Sequence, residues 1–419
     1  MILSEQRLPV SDATTAAADL CDELTAPAPV NDDGDHSPSS PRWRHQSLSK
    51  GAAGVAILHA VRTQTGHGHD RQVHDWLARA VSEDLSAGPG AGLWFGAPAV
   101  AFALGTCAPG GYRQTRATLD AAVTRLIQRR LEAAHERIAA AARPSLSEFD
   151  LVRGLTGLGA HILAHHPDGG QIRDVLAYLI RLTEPVPAPD EAGTGAPGWW
   201  TADPPSGHPQ VRGGHADQGM AHGIAGPLAL LALALRRGIT VPGQTVAIDR
   251  ICGWLDGWRQ PGPAGPWWPE RIALADLRAG RPTQAGPARP SWCYGTPGLA
   301  RAQQLAGLTR GDHSRQAAAE HALHRCLADA VQLGRLRDAN LCHGWAGVAV
   351  TAWYAAADAT TPHLTGHLPE LLRALVNHAD DTGPERLVGL IEGRAGVALT
   401  LHTIARGVAS PWPTCLLIN

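Results

Sequence analysis

The sequence predicts an all-α fold, an α/α toroid in which seven inner and seven outer helices form a double barrel. Three observations predict it. A glycine-paired motif recurs seven times, an apolar helical stretch follows the copies, and no segment carries a convincing alternating strand pattern.

The motif is a polar or aromatic residue followed by G-x-x-G. Its first glycines are Gly51, Gly154, Gly223, Gly295, Gly344 and Gly393, with partners Gly54, Gly157, Gly226, Gly298, Gly347 and Gly396. A further copy starts at Gly96 and carries Ala99 at the second position. Successive first glycines stand 45 (51 to 96), 58 (96 to 154), 69 (154 to 223), 72 (223 to 295), 49 (295 to 344) and 49 (344 to 393) residues apart. The shorter spacings fit two helices and two loops, and the longer ones must contain insertions. One is the Pro/Gly-rich loop 184–219, which holds Trp199 and Trp200 and is longer than structureless loops usually run.

After the glycine pairs the chain reads as buried helix, as in 225–235. Between the motifs lie amphipathic stretches at 112–142, 171–182, 245–258 and 314–336. In 245–258, Ile248, Ile251, Cys252 and Leu255 share one helical face. Apolar helices belong inside and amphipathic ones around them, which gives the ring. The glycines permit tight entry into each inner helix. For one copy such spacing is equally ordinary helix packing; seven ordered copies argue against that. Residues 1–45 are expected to be a partly flexible N-terminal extension, and 46–419 the toroid.

Composition excludes several functions. Lys+Arg is 36 against Asp+Glu 38, a net charge of −2 that leaves no electrostatic footprint for nucleic acid. The seven scattered cysteines make a poor disulfide framework and suit a reducing compartment. The start of the chain lacks the pattern of a secretory signal, and no apolar run approaches the roughly 20 residues that cross a bilayer. A cytoplasmic protein is expected, with peripheral placement at a membrane-associated biosynthetic complex left open.

The repeat also aligns chemistry. Two positions before the first glycines stand Ser49, Trp94, Val152, Ala221, Cys293, Cys342 and Ile391; one position before stand Lys50, Phe95, Arg153, His222, Tyr294, His343 and Glu392. A ring converges these places on one rim. Cys293, Cys342 and His343 then form a Cys2His set, and three protein ligands with an open fourth position define a catalytic zinc site. Thiolate and imidazole donors select zinc over hard cations. The alternative is that both cysteines are buried small hydrophobes; their shared offset argues against it.

At these residues the sequence resembles the LanC lanthionine synthetases, the cyclases of class I lantibiotic biosynthesis. The resemblance rests on Ser291-Trp-Cys-Tyr-Gly295, Leu341-Cys-His-Gly344, Ala221-His-Gly-Ile-Ala-Gly226, Asp150-Leu-Val-Arg-Gly154 and Glu392-Gly-Arg-Ala-Gly396, and spans about 47–400, nearly the whole chain. It implies one Zn2+ per chain on Cys293, Cys342 and His343. It further implies an acid/base histidine at His222 assisted by Asp150, a catalytic arginine at Arg289, and Tyr294 beside the zinc cysteine. Pro290 and Ser291, between Arg289 and Trp292, depart from the family pattern. The implied substrate is a dehydrated lantibiotic precursor peptide, with a dehydratase and a peptide exporter as further partners.

The chemistry that follows is addition of a cysteine thiolate to dehydroalanine or dehydrobutyrine. Zinc ionises the thiol, His222 moves protons, Asp150 fixes its tautomer, and Arg289 stabilises the enolate oxygen. Each residue has a plainer alternative: Asp150 as a helix N-cap, Arg289 as a solvated loop charge, His222 as a packed core histidine, Tyr294 as an orienting or packing ring. His161, His165, His166, His208 and His215 are set aside as chance clustering among 21 histidines. The pairs Trp199–Trp200 and Trp267–Trp268 either line a peptide groove or cap the core. Competing functions are a prenyltransferase-like zinc toroid and a noncatalytic thiol- or peptide-binding scaffold.

Overall fold

The structure, a computed structural model, describes residues 9–27, 41–186, 195–204, 209–382 and 387–419; His208 lies outside these. The chain divides into two compact units, one within 1–122 and 336–412, the other within 123–335 and 413–419.

In the first unit the inner helices of four repeats pack side by side. Their order is Ala97–Cys107 of repeat two, Ala52–Gln64 of repeat one, Arg394–Arg406 of repeat seven and Trp345–Ala357 of repeat six. The last repeat is therefore the neighbour of the first. In the second unit Leu155–His165, Ala225–Arg236 and Thr296–Arg310, from repeats three, four and five, pack in that order. These helices are buried nearly all round: every residue from Ala225 to Ala234 is inaccessible, as an apolar helix without a polar stripe must be.

Outer helices bury one face. Leu368–Asn377 turns Leu368, Leu371, Leu372 and Leu375 inward, spacings of three and four that line one side. It packs on Trp345–Ala357, as His313–Leu327 packs on Thr296–Arg310 and Gly170–Leu182 on Leu155–His165. The outer partner of the seventh inner helix comes from the opposite end of the chain. Val10–Glu23 buries Ala13, Ala17, Leu20 and Cys21 and packs on Arg394–Arg406. Its end is pinned: the Leu24 carbonyl accepts from His59 Nε2 at 2.7 Å and Trp76 Nε1 at 2.9 Å, and Glu23 pairs with Arg394. The segment that the sequence sets apart as an extension thus contributes a helix to the first unit.

A short sheet departs from the sequence expectation. Strand β1 (His215–Asp217) pairs antiparallel with β2 (Arg271–Ala273), in the register His215 with Ala273, Ala216 with Ile272 and Asp217 with Arg271. Strands of three residues are too short to give an alternating pattern. The tryptophan pairs are packing residues: Trp199, Trp200, Trp267 and Trp268 are all buried, and the Trp199 ring stands edge-on to Trp254 at 5.7 Å. Among the described residues no helix is long and apolar enough to cross a membrane.

Candidate active site and metal ligands

The glycine motif works through contacts that leave no room for a side chain. A Cβ on the second glycine would run into the carbonyl oxygen six residues earlier: Leu48 for Gly54, Met220 for Gly226, Trp292 for Gly298, Leu341 for Gly347 and Leu390 for Gly396. A Cβ on the first would meet the amide nitrogen four residues earlier, as Gly154 would meet Asp150. The entry loop is thereby folded hard against the helix start.

The same loops bond to each other at equivalent places. The N–H three positions before the first glycine donates to the carbonyl two positions before the first glycine of the next repeat. Leu48 donates to Trp94 (3.1 Å) and Leu341 to Ile391 (3.0 Å) in the first unit; Leu151 donates to Ala221 (3.1 Å) and Met220 to Cys293 (2.7 Å) in the second. Repeat seven closes on repeat one through Leu390 to Leu48 (2.8 Å) and Ile391 to Ser49 (3.1 Å). Residues just before the glycines therefore share one rim within each unit. At that rim Lys50 and Glu392, one position before their glycines, pair at 2.9 Å.

In the second unit this rim gathers the candidate side chains Asp150, His222, Tyr294 and Cys293. Asp150 is fully buried. Its Oδ1 accepts from the Arg153 and Gly154 amides at 2.5 and 2.8 Å, while its Oδ2 lies 2.7 Å from His222 Nδ1. Asp150 is not the N-cap of Leu155–His165, a place that Gly154 takes without a side-chain cap; Oδ1 holds the amides of the turn leading into the helix, and Oδ2 faces the imidazole. Burial pushes the His222 imidazole down, but the hydrogen bond and charge of Asp150, with Asp217, more than offset it, so its pKa is raised. The Tyr294 ring sits 6.2 Å from the His222 ring, and its hydroxyl donates to Asp217 Oδ2 at 3.1 Å.

Sequence reasoning misses Asp217. It is fully buried, accepts the Gly219 amide at 2.9 Å, and its carboxyl is pushed up to about 6 by burial. A signal for it exists: Asp217 and Asp338 both stand six positions before the first glycine of a repeat that carries His at the last position before it. Cys293 is buried, and its thiol lies 3.5 Å from the Ser291 hydroxyl. That hydroxyl in turn accepts the Tyr294 and Gly295 amides at 3.2 and 3.0 Å. Ser291 thus caps its turn as Asp150 does. Arg289 is half-buried on the segment leading into this turn, and its side chain makes no hydrogen bond or ion pair among the described residues.

In the first unit Cys342 and His343 begin the loop into Trp345–Ala357. The His343 amide donates to Asn340 Oδ1 at 3.0 Å, and its Nε2 lies 3.3 Å from Asp338 Oδ2. Cys293 belongs to the second unit and Cys342 and His343 to the first, the two cysteines standing at the same offset in their own repeats.

All-helical repeats with a glycine-sealed rim, carrying Cys-Tyr-Gly in one copy and Cys-His-Gly in the next, define the class. A family model for lanthionine synthetase C-like proteins matches residues 42–417, and the chain belongs to that family. Among solved structures it is similar to nisin cyclase, at 16% identity over 97% of each chain with a TM-score of 0.75. No curated protein sequence matches it. The fold class is accordingly the α/α toroid that the repeat predicted.

Proposed function

We propose that the protein is a zinc-dependent lanthionine cyclase. It adds cysteine thiols of a dehydrated lantibiotic precursor peptide to dehydroalanine or dehydrobutyrine, forming thioether rings. The observation that carries this reading is the buried Asp150 carboxylate 2.7 Å from His222 Nδ1, on the rim that also bears Tyr294. Membership of the lanthionine synthetase C-like family and the likeness to nisin cyclase support it.

Cys293, Cys342 and His343 would hold the zinc. Two thiols and an imidazole suit that ion. The Asp338 carboxylate beside His343 Nε2 is the partner that metal-bound imidazoles commonly have. When bound, zinc with three protein donors supplies an open position and a charge that lowers the pKa of an incoming thiol.

The chain's own residues do the rest. With Nδ1–H given to Asp150, His222 leaves Nε2 unprotonated as the site that takes and returns the proton, and Asp150 keeps that tautomer in place. His222 takes the thiol proton as the sulfur–Cβ bond forms. The double-bond pair moves onto the acyl oxygen of the dehydroamino acid, where Arg289 donates hydrogen bonds, and a proton returns to Cα. One S–H bond is lost and one C–H bond gained, so the product has the mass of the substrate. Tyr294, its hydroxyl committed to Asp217, orients rather than transfers.

The test is incubation of dehydrated precursor with the zinc-loaded protein. Free thiols should disappear without a mass change, and His222→Asn should retain metal but lose this activity. Constant thiol content in the presence of bound zinc would leave a noncatalytic thiol-binding scaffold instead.

A further inference from the structure

The two long insertions meet in the β1–β2 pair, and that pairing carries a side chain to the rim of the second unit. Residues directly opposite in an antiparallel pair point to the same face, with Cβ atoms about 4.5–5.5 Å apart. Arg271 is opposite Asp217, and Asp217 holds the Tyr294 hydroxyl at 3.1 Å. His215, two residues along β1, is on that face too. The pairing continues beyond the strands: the Gln218 amide donates to the Glu270 carbonyl at 3.0 Å, and Gln218 Nε2 to the Pro269 carbonyl at 3.0 Å.

Arg271 is underused where it stands. Its side chain is 24% exposed, and its nearest carboxylate, Glu270, is 3.8 Å away. Its Nε is buried and has no hydrogen-bond partner among the described residues. Beside it His215 is fully buried with neither ring nitrogen partnered among them. Burial first, and then the Arg271 charge, lower that imidazole to about 4, so it stays neutral beside the guanidinium. The exposed part of the Arg271 side chain is where an oxygen entering from outside can meet the guanidinium.

The geometry points to Arg271 as a substrate-oxygen clamp for the reaction proposed above, donating to the acyl oxygen of the dehydroamino acid in addition to Arg289. It rests on that reading. As the sulfur–Cβ bond forms, the displaced π pair places negative charge on this oxygen, and a fixed guanidinium bonds more strongly to it then than in the ground state. No proton leaves Arg271. The insertions before repeats four and five thereby acquire a purpose, as the scaffold that carries a second cation to the reacting centre.

The experiment uses the zinc-loaded full chain and a synthetic peptide bearing one dehydroalanine and one cysteine. Its counterpart with alanine for dehydroalanine serves for calorimetric binding. Arg271→Gln should lower kcat about ten- to hundredfold, the loss of one hydrogen bond to a charged group, with zinc content and binding of the alanine peptide unchanged. Arg271→Lys should fall between, and methylguanidinium should restore part of the Arg271→Ala activity in proportion to its concentration. Wild-type kcat in Arg271→Gln would overturn the proposal. So would a loss in Arg271→Ala that methylguanidinium does not relieve and that accompanies a lowered thermal midpoint, which marks a structural residue. A wild-type chain that leaves the thiols of both this peptide and the dehydrated precursor intact would fail the cyclase reading itself, and the clamp with it.

Discussion

Asp150→Asn isolates the pair on which the acid/base assignment depends. The asparagine oxygen can still accept the Arg153 and Gly154 amides that Asp150 Oδ1 accepts at 2.5 and 2.8 Å, so the turn into Leu155–His165 survives. The other arm changes from an acceptor to an NH2 donor facing His222 Nδ1. The buried charge-assisted hydrogen bond is lost, worth about 1.5–3 kcal/mol, or roughly ten- to 150-fold in rate. The ring must also adopt the opposite tautomer, protonated at Nε2, where a base is needed; such inversions cost up to about 10⁴-fold. The expected kcat therefore falls about 10²- to 10⁴-fold, with zinc content and thermal midpoint near wild type. The pH profile adds a signature. Asp150 is the main influence raising the His222 pKa against burial, so its removal moves the acid limb of the residual activity to lower pH. The assay is loss of free thiol from dehydrated precursor, followed across pH. A variant that cyclises at the wild-type rate, or whose acid limb does not move, would refute the role given to this pair.

Three further outcomes follow from the same geometry. Cys293→Ala and Cys342→Ala should each abolish the single bound zinc, read by metal analysis; full zinc in both variants would remove the site. Asp217 has a folded pKa of about 6 against a usual 3.8. Its contribution to stability is fully present below the usual value and is lost as pH rises to about 6, a decline on the order of 3 kcal/mol. Denaturant midpoints of wild type should show this decline and those of Asp217→Leu should not. Gly396→Ala, whose Cβ would strike the Leu390 carbonyl, should destabilise by about 2–3 kcal/mol, visible as a lowered thermal midpoint.

The repeat is legible because the same steric constraint returns at one inner-helix start after another. A carbonyl six residues earlier leaves no room for a Cβ at Gly298, Gly347 and Gly396, so these glycines punctuate the sequence at equivalent places, while repeat two carries Ala99 there. The offset that aligns Cys293 with Cys342 is readable for the same reason. Where the signal fails, the partners are remote. Val10–Glu23 belongs against Arg394–Arg406, and nothing local announces a partner at the other end of the chain. Asp217 finds its purpose through Tyr294, 77 positions away, and Arg271 through a three-residue strand. His222 and Asp150 are paired in the sequence only through family resemblance; the 2.7 Å contact gives that pairing its physical reason.

The most direct test of the central claim is zinc-edge X-ray absorption of the full chain, with and without a cysteine-containing peptide. The account predicts two sulfurs, one imidazole nitrogen and one exchangeable light atom, and a third sulfur in place of that atom once peptide is added. Four protein donors that persist unchanged with peptide, or no bound zinc, would contradict it.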